Sequence, residues 1–233
     1  MYKGHKILCV IPVRGGSKGL PGKNIKKLNG KPLIAYTLDH ARRSKLIDRT
    51  IVSTDSPEIA KVAKNFGAEL PFIRPAYLAA DKSSTIDVLV HAINFMQDEL
   101  NYDFDIIVLL HATTPFRTSK DVDSSIKLLV DKKAQNVFSV ADAHRNPYFN
   151  MVELDKKGYA SLSKKGKFVT RQAAPLVYDM NSSIYVWWKD ILLKNKKIFL
   201  RKSLVYVMPK ERSVDIDDEY DFKVASAIAG DKQ

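Results

Sequence analysis

The residues best suited to chemistry lie in Ile11-Pro-Val-Arg-Gly-Gly-Ser-Lys-Gly-Leu-Pro-Gly-Lys-Asn-Ile25. Its four glycines let the backbone come close to a ligand and turn N–H groups toward it, and Arg14, Lys18 and Lys23 add positive charge. Arginine can grip phosphate oxygens in pairs, and lysine meets them as a point charge. The stretch is therefore expected to cradle phosphate. It lacks both the Gly-Lys-Ser/Thr ending of a Walker A loop and the Gly-x-Gly-x-x-Gly of dinucleotide folds. A second cluster is Ser213-Val-Asp-Ile-Asp217. In an extended chain Asp215 and Asp217 face one side and Ile216 the other. Two carboxylates on one face are hard oxygen ligands that suit Mg²⁺. Spacing alone equally allows Asp217 and Asp218 to cap a following helix.

These residues need elements to position them. Ile7–Val13 is a continuous apolar run bounded by turn signals, as a buried strand would be, and the glycine loop follows at its carboxyl end. Pro32 suits the first turn of a helix that carries Leu33, Ile34, Leu38 and Ala41. Thr50–Ser53 reads as a strand, and Ser56-Pro57 opens a helix that stops at Gly67. Ser84 to Leu100 has helical spacing, Ile106–Leu110 is a strand, and a helix begins at Ser119 or Asp121. Asn136–Val140, Ser183–Trp188 and Val205–Met208 are further strands, with a last helix from Asp217 to Ala229. Strands that alternate with helices imply an α/β fold, a mostly parallel sheet with helices on both faces. Between Pro147 and Lys167 the pattern changes to short runs broken by Gly158 and Gly166, which suggests small antiparallel strands on an excursion from the body.

A chain of 233 residues with 45% hydrophobic content can bury a core without staples, so one domain over 1–233 is expected, with the excursion at about 141–180 inside it. The lone Cys9 excludes an internal disulfide and sits in the first strand, where a buried thiol is the simplest reading. No stretch is apolar enough for a membrane span or a secretory leader, so a cytoplasmic location is expected. The net charge of +12 calls for a polyanionic partner, either nucleoside triphosphate or nucleic acid. The lysines between Lys156 and Lys202 lack the aromatic and glycine interleaving of a single-strand reader, so a solvated face is expected there and no nucleic-acid partner. His5, His40, His91 and His144 show no metal-ligand spacing.

The glycine loop resembles the signature of the acylneuraminate cytidylyltransferases, or CMP-sialic acid synthetases. Further segments fall in that family's order: Lys31-Pro-Leu-Ile-Ala-Tyr-Thr, Ser53-Thr-Asp-Ser-Pro-Glu-Ile, Arg74-Pro-Ala-Tyr-Leu-Ala-Ala-Asp81, Leu109-Leu-His-Ala-Thr-Thr-Pro-Phe-Arg117, Arg171-Gln172, Asn181-Ser-Ser-Ile-Tyr185 and Ser213 to Asp217. Synthetases for the eight-carbon acid KDO are related but lack the Arg-Gly-Gly-Ser-Lys pattern. The resemblance implies a Rossmann-like fold and a homodimer in which each excursion reaches over the partner's site. It implies attack by the anomeric hydroxyl of a nine-carbon α-keto acid sugar on the α-phosphorus of CTP, with Mg²⁺ and release of pyrophosphate.

Carried over by position, Arg14, Gly15, Ser17, Lys18, Lys23 and Asn24 would hold the triphosphate, with Arg74 and Ala80 around cytosine and ribose. Arg14 and Lys23 would stabilise charge on the reacting phosphates. Asp215 and Asp217 would hold the metal, and Asp217 could also serve as base. His111, Thr113, Thr114, Arg117, Arg171, Gln172, Tyr178 and Asn181 would surround the sugar acid. Two positions depart from the family pattern: His111 stands where glutamine is usual, and Ser182 where glycine is often found. An imidazole ordinarily titrates near neutrality. Both departures point to a legionaminic or pseudaminic acid in place of N-acetylneuraminate.

Overall fold

The computed structural model describes residues 1–80 and 83–230. The apolar run at the start forms β1 (Ile7–Pro12), its residues buried up to Ile11. The loop after it is not featureless. A short 3-10 turn at Lys23–Ile25 is followed by β2 (Lys27–Leu28) and β3 (Lys31–Pro32), which pair antiparallel. Asn29 and Gly30 connect them, both at positive φ (45° and 75°), as a primed two-residue hairpin turn requires. Asn-Gly was the available signal for this hairpin, and Pro32 ends β3 at the N-cap of α1 (Leu33–Arg43) without entering the helix.

Further along come β4 (Arg49–Ser53) and α2 (Pro57–Asn65), the latter capped by the Ser56 hydroxyl, which accepts from Ile59 N–H. Ser84 likewise caps α3 (Thr85–Asn94). The expected helix to Leu100 changes its hydrogen bonding at Phe95–Glu99, which winds as a π turn. Then come β5 (Ile106–Leu110), α4 (Ser119–Asp131) and β6 (Asn136–Asp142). Thr118 and Asp121 form a reciprocal capping box at the start of α4. The aperiodic region holds an exposed antiparallel hairpin of β7 (Val152–Leu154) and β8 (Ala160–Leu162).

β9 (Tyr178–Trp188) is longer than its apolar half suggested. Its polar start pairs with β6 across a register shift between Phe138 and Val140, opposite Ser182 at φ 49°. The short α5 (Lys189–Asn195), which periodicity did not reveal, leads to β10 (Ser203–Val207) and α6 (Glu219–Gly230).

These strands form one sheet in the order β10-β6-β9-β5-β1-β4. β1 runs parallel to β4 and β5, and β10 to β6, while β9 is antiparallel to both its neighbours. One face packs Ile7, Val108 and Ile184 with Ile34, Ile59 and Ile126 from α1, α2 and α4. The other packs Leu8, Ile107 and Trp187 with Leu89 and Ile93 from α3 and Leu192 from α5. Covered on both faces, the central strands carry apolar side chains throughout. Cys9 is fully buried, and burial pushes its thiol up to about 12, so it is an inert core residue. Of the tryptophans, Trp187 is buried and stacks on Tyr185 at 5.6 Å, while Trp188 is partly exposed and donates to Ala134 O.

Candidate active site

A cleft of about 590 Å³ opens at the carboxyl ends of β1 and β5. It is where an open α/β sheet leaves room for a ligand. Because β9 runs the other way, its bulge at Ser182 reaches this same end, beyond the Leu110–Ile184 pair. The loop after β5 carries His111 and Thr113 into the cleft. Asp215 and Asp217 arrive on an extended segment tied down by Ile216 N–H to Thr113 O, 2.9 Å.

The structure gathers most of the chosen residues here. Arg14, Ser17, Lys18, Lys23 and Asn24 line the cleft, as do Arg74 and Ala80. Asp81, which ended one of the quoted motifs, lies outside the described residues. His111, Thr113, Asp215 and Asp217 belong to the same lining. Gly15 packs behind the lining, where a Cβ would lie 3.1 Å from Ser56 Cβ. Gly19 has a stricter requirement: a Cβ there would fall 2.4 Å from Asp217 O. The loop and the acidic segment therefore meet backbone to backbone at Gly19.

Lys23 completes that junction. Its Nζ donates to Ile216 O and to Asp217 Oδ1, both at 2.9 Å. Lys26 pairs with Glu219 at 2.9 Å, one turn further along the same contact. Ile216 is fully buried against Leu20, Leu28 and Phe222, so the alternation that points both carboxylates into the cleft is fixed by packing. The capping question also resolves. Asp218 Oδ1 accepts from Asp221 N–H, and Asp221 Oδ2 accepts from Asp217 and Asp218 N–H. Asp218 is thus the cap of α6, and the Asp217 carboxylate is left for Lys23 and the cleft.

Asp215 is the more buried carboxylate, and its Oδ1 has no hydrogen-bond partner. Burial pushes its pKa above the ordinary carboxylate value, and Asp217 adds to this, while Thr113 and Lys23 act against it. A buried carboxylate oxygen with nothing to accept from, beside a second carboxylate, fits a divalent cation. Among the described residues no group of three or more His, Cys, Asp or Glu side chains is placed to hold a metal. The remaining ligands of Mg²⁺ at this pair would be waters and phosphate oxygens.

His111 does not titrate near neutrality as a free imidazole would. Burial, reinforced by the Arg117 and Lys23 charges, lowers its pKa to about 4. At neutral pH it is an uncharged ring, set edge-on to Tyr185 at 6.0 Å.

Other expected sugar contacts lie outside the lining. Arg117 is 1% exposed and holds the floor: its guanidinium donates to Ser183 Oγ (2.9 Å), Thr37 Oγ1 (3.2 Å), His111 O and Thr114 Oγ1. Burial lowers its pKa to about 9, still cationic at neutral pH. Thr114 is fully buried in this network. Asn181 is buried too, accepting from Ser139 Oγ and donating to Ser213 Oγ, two residues before Asp215. Arg171, Gln172 and Tyr178 are exposed on the excursion and do not line this chain's cleft.

Two residues that were not among the expected site contacts also matter, one of them the Ser182 noted as a departure from the family pattern. Ser182 lines the cleft from a left-handed backbone position. Asp55, within the quoted Ser53 to Ile59 segment, accepts from Gly15 N–H at 3.1 Å and from Arg74 Nη2 at 3.3 Å.

Comparison with known proteins adds an independent line. The profile of the family described as cytidylyltransferase matches residues 8–227. The chain is 41% identical to the CMP-N,N'-diacetyllegionaminic acid synthase of Campylobacter jejuni, over 96% of this chain and 94% of that protein. It is 39% identical to the post-translational flagellin modification protein B of Campylobacter coli, over 97% and 96%. Among solved structures, a CMP-2-keto-3-deoxy-manno-octonic acid synthetase complexed with CTP superposes with a TM-score of 0.74 at 18% identity, covering 98% of this chain and 100% of that one. At that identity the superposition shows the fold alone.

Proposed function

The chain belongs to the cytidylyltransferase family, and we propose that it transfers CMP from CTP to a nine-carbon α-keto acid sugar of the legionaminic acid type, releasing pyrophosphate. The observation that carries this reading is that one cleft is lined by Arg14, Lys18 and Lys23 together with Asp215 and Asp217. The cations suit a triphosphate, and the paired carboxylates suit the metal that accompanies it. The sugar class rests on the 41% identical CMP-N,N'-diacetyllegionaminic acid synthase and on His111 and Ser182 within the lining.

In this account Arg14, Ser17 and Lys18 hold the β- and γ-phosphates and neutralise pyrophosphate as it leaves. Lys23, fixed by Ile216 O, meets the α-phosphate and gives up part of its pairing with Asp217. Asn24 donates to Arg14 O at 3.1 Å and so shapes the loop while lining the cleft. Phosphoryl-type transfer needs alignment and charge neutralisation more than covalent help, and those are what these groups supply. Asp215 and Asp217 are the residues that would hold Mg²⁺, which when bound polarises the phosphate and lowers the pKa of a bound hydroxyl. Asp217, 76% exposed at its side chain, is also the carboxylate placed to take the proton of the attacking hydroxyl. Arg117 does not reach the sugar in this scheme. It acts from below, by setting the His111 carbonyl and Thr114.

The excursion is assigned to a homodimer, in which Arg171, Gln172 and Tyr178 serve the partner's cleft. Exposed apolar side chains on it, Val152, Leu154 and Tyr159, support an interface there. No helix among the described residues is long and apolar enough to cross a membrane, and a cytoplasmic location goes with the proposed use of CTP.

The sugar is tested by kcat/KM with CTP for N,N'-diacetyllegionaminate, pseudaminate, N-acetylneuraminate and KDO. The legionaminate is expected to lead by about tenfold or more, the discrimination that a few altered pocket contacts provide. N-acetylneuraminate or KDO as best substrate would overturn the sugar assignment.

A further inference from the structure

The lysines that lead up to Lys202 read in the sequence as a solvated face, but the fold gathers part of them with cations from another segment. β10 runs parallel to β6, and β9, antiparallel to both β5 and β6, sets all three of β5, β6 and β10 in one direction. The amino ends of β6 and β10 therefore lie at the end of the sheet away from the cleft. Two turns meet there: residues 131–135, where α4 ends, and residues 194–203, which lead from α5 into β10. Gln135 N–H donates to Lys202 O and Lys202 N–H to Gln135 Oε1, both at 3.0 Å. Asn136 Nδ2 donates to Ile198 O at 2.6 Å.

Lys132 and Lys133 from the first turn, and Lys194, Lys196, Lys197, Arg201 and Lys202 from the second, are all exposed. Among the described residues none of these cations is in an ion pair. The single acid of the two turns, Asp131, is taken by Lys3 Nζ at 2.7 Å and the Tyr2 hydroxyl at 3.1 Å. Lys133 and Lys196 hold left-handed positions (φ 50° and 49°), where glycine or asparagine is the less strained residue. Between Lys197 and Arg201 stands Phe199, 67% exposed, its ring edge-on to buried Phe138 at 5.6 Å.

We propose that this patch docks on the surface of an anionic phospholipid bilayer, with the cations against the headgroups and Phe199 entering the interface. Anionic headgroups attract lysine and arginine within about a Debye length, about 10 Å at 0.1 M salt. An aromatic set among such cations adds apolar contact, so two signals act together. A single-strand reader would stack successive bases on several aromatics, and Phe199 is the sole aromatic of the two turns. Docking in this way uses no membrane-crossing helix and leaves the cleft, at the other end of the sheet, open to solvent. It does not depend on which nucleotide or sugar the cleft takes.

The test is co-sedimentation of the full chain with vesicles of phosphatidylcholine alone and of equal parts phosphatidylcholine and phosphatidylglycerol, at about 0.1 M salt and at about 0.5 M. Wild-type protein is expected to bind the anionic vesicles, to leave them at the higher salt, and to ignore the neutral ones. Lys194→Gln, Lys197→Gln, Arg201→Gln and Lys202→Gln together should weaken binding by about a hundredfold or more, since each cation near the surface contributes about fivefold. Phe199→Ala should weaken it by about threefold or more, as loss of a partly inserted ring does. Arg43→Gln, Lys45→Gln, Lys61→Gln and Lys64→Gln together remove the same charge from exposed positions around α1 and α2 and should change binding by no more than about threefold. Equal weakening by the two quadruple variants would mean that net charge alone acts, and would overturn the proposal. So would wild-type binding that is absent, insensitive to salt or equal on neutral vesicles, and so would tighter binding of a single-stranded oligonucleotide through the same residues. Tm and vesicle-free pyrophosphate release are expected to match wild type in every variant; should the patch variant fail to fold, the salt and Phe199→Ala results still decide.

Discussion

The Asp215 carboxylate is buried beside Thr113 and Ser182, with Oδ1 unpartnered and a pKa raised chiefly by desolvation. A carboxylate held this way is a cost to the free protein, recovered when a cation or a proton arrives. Asp215→Asn keeps the shape and removes the charge. It is expected to lower kcat/KM by about a hundredfold or more, the scale of a lost ligand to a catalytic charge. It should also raise stability by on the order of 1 kcal/mol, because the desolvated charge is gone. Steady-state assays and thermal unfolding read the two effects, and retained activity with a lower Tm would contradict the assignment. His111 differs from the sequence expectation for the same physical reason. Its residue type suggested a group titrating near neutrality, but desolvation and two nearby cations hold it uncharged until about pH 4. Besides burial, Arg117 from the loop before α4 and Lys23 from the glycine loop cause this shift, and no local pattern announces them.

At the scale of elements, the cleft depends on how two segments some 200 residues apart are joined. The separations are 193 and 194 residues for the Lys23 contacts with Ile216 and Asp217. A second anchor is Asp121, 1% exposed, which receives Arg212 Nη2 at 2.8 Å, Arg212 Nε at 3.1 Å and the Tyr206 hydroxyl at 3.0 Å. Three residues after Arg212 comes Asp215, so the capping residue of α4 also fixes the acidic segment. The strands β1 and β5 and the helices α2 and α4 were legible because apolar period and caps are local signals. The β2–β3 hairpin was carried by two dipeptide positions, α5 by seven residues, and the start of β9 by polar ones, so periodicity had too little to work on. Likewise the loop and aspartates were legible as motifs, whereas Arg117, Thr114 and Asn181 are placed behind the lining by tertiary packing alone. The hairpin of β7 and β8 makes its own prediction. Leu154→Asp, at a side chain 68% exposed in the single chain, should shift a dimer toward monomer by light scattering while thermal stability of the monomer stays within about 0.5 kcal/mol. An unchanged dimer mass, or a wild-type chain that is already monomeric, would contradict the proposed role of the excursion.

For the whole molecule, a net charge of +12 left two polyanions open, and the cleft is the place proposed for one of them. A mostly parallel sheet converges β1, β5 and the bulge of β9 on one end, and there cations of the glycine loop and a carboxylate pair line one cleft. Membership of the cytidylyltransferase family accords with that geometry, since the matched span of residues 8–227 includes the whole lining. The central claim is a CTP-specific, metal-dependent, sugar-dependent release of pyrophosphate. It is measured most directly by following pyrophosphate with purified chain and N,N'-diacetyllegionaminate, offering CTP, ATP, GTP or UTP in turn, with Mg²⁺ or with EDTA. The account predicts stoichiometric pyrophosphate with CTP and Mg²⁺, little with the other nucleotides, and none without sugar or metal. Release that is indifferent to the base or to the sugar acid, or no release from CTP with any nine-carbon acid, would contradict it.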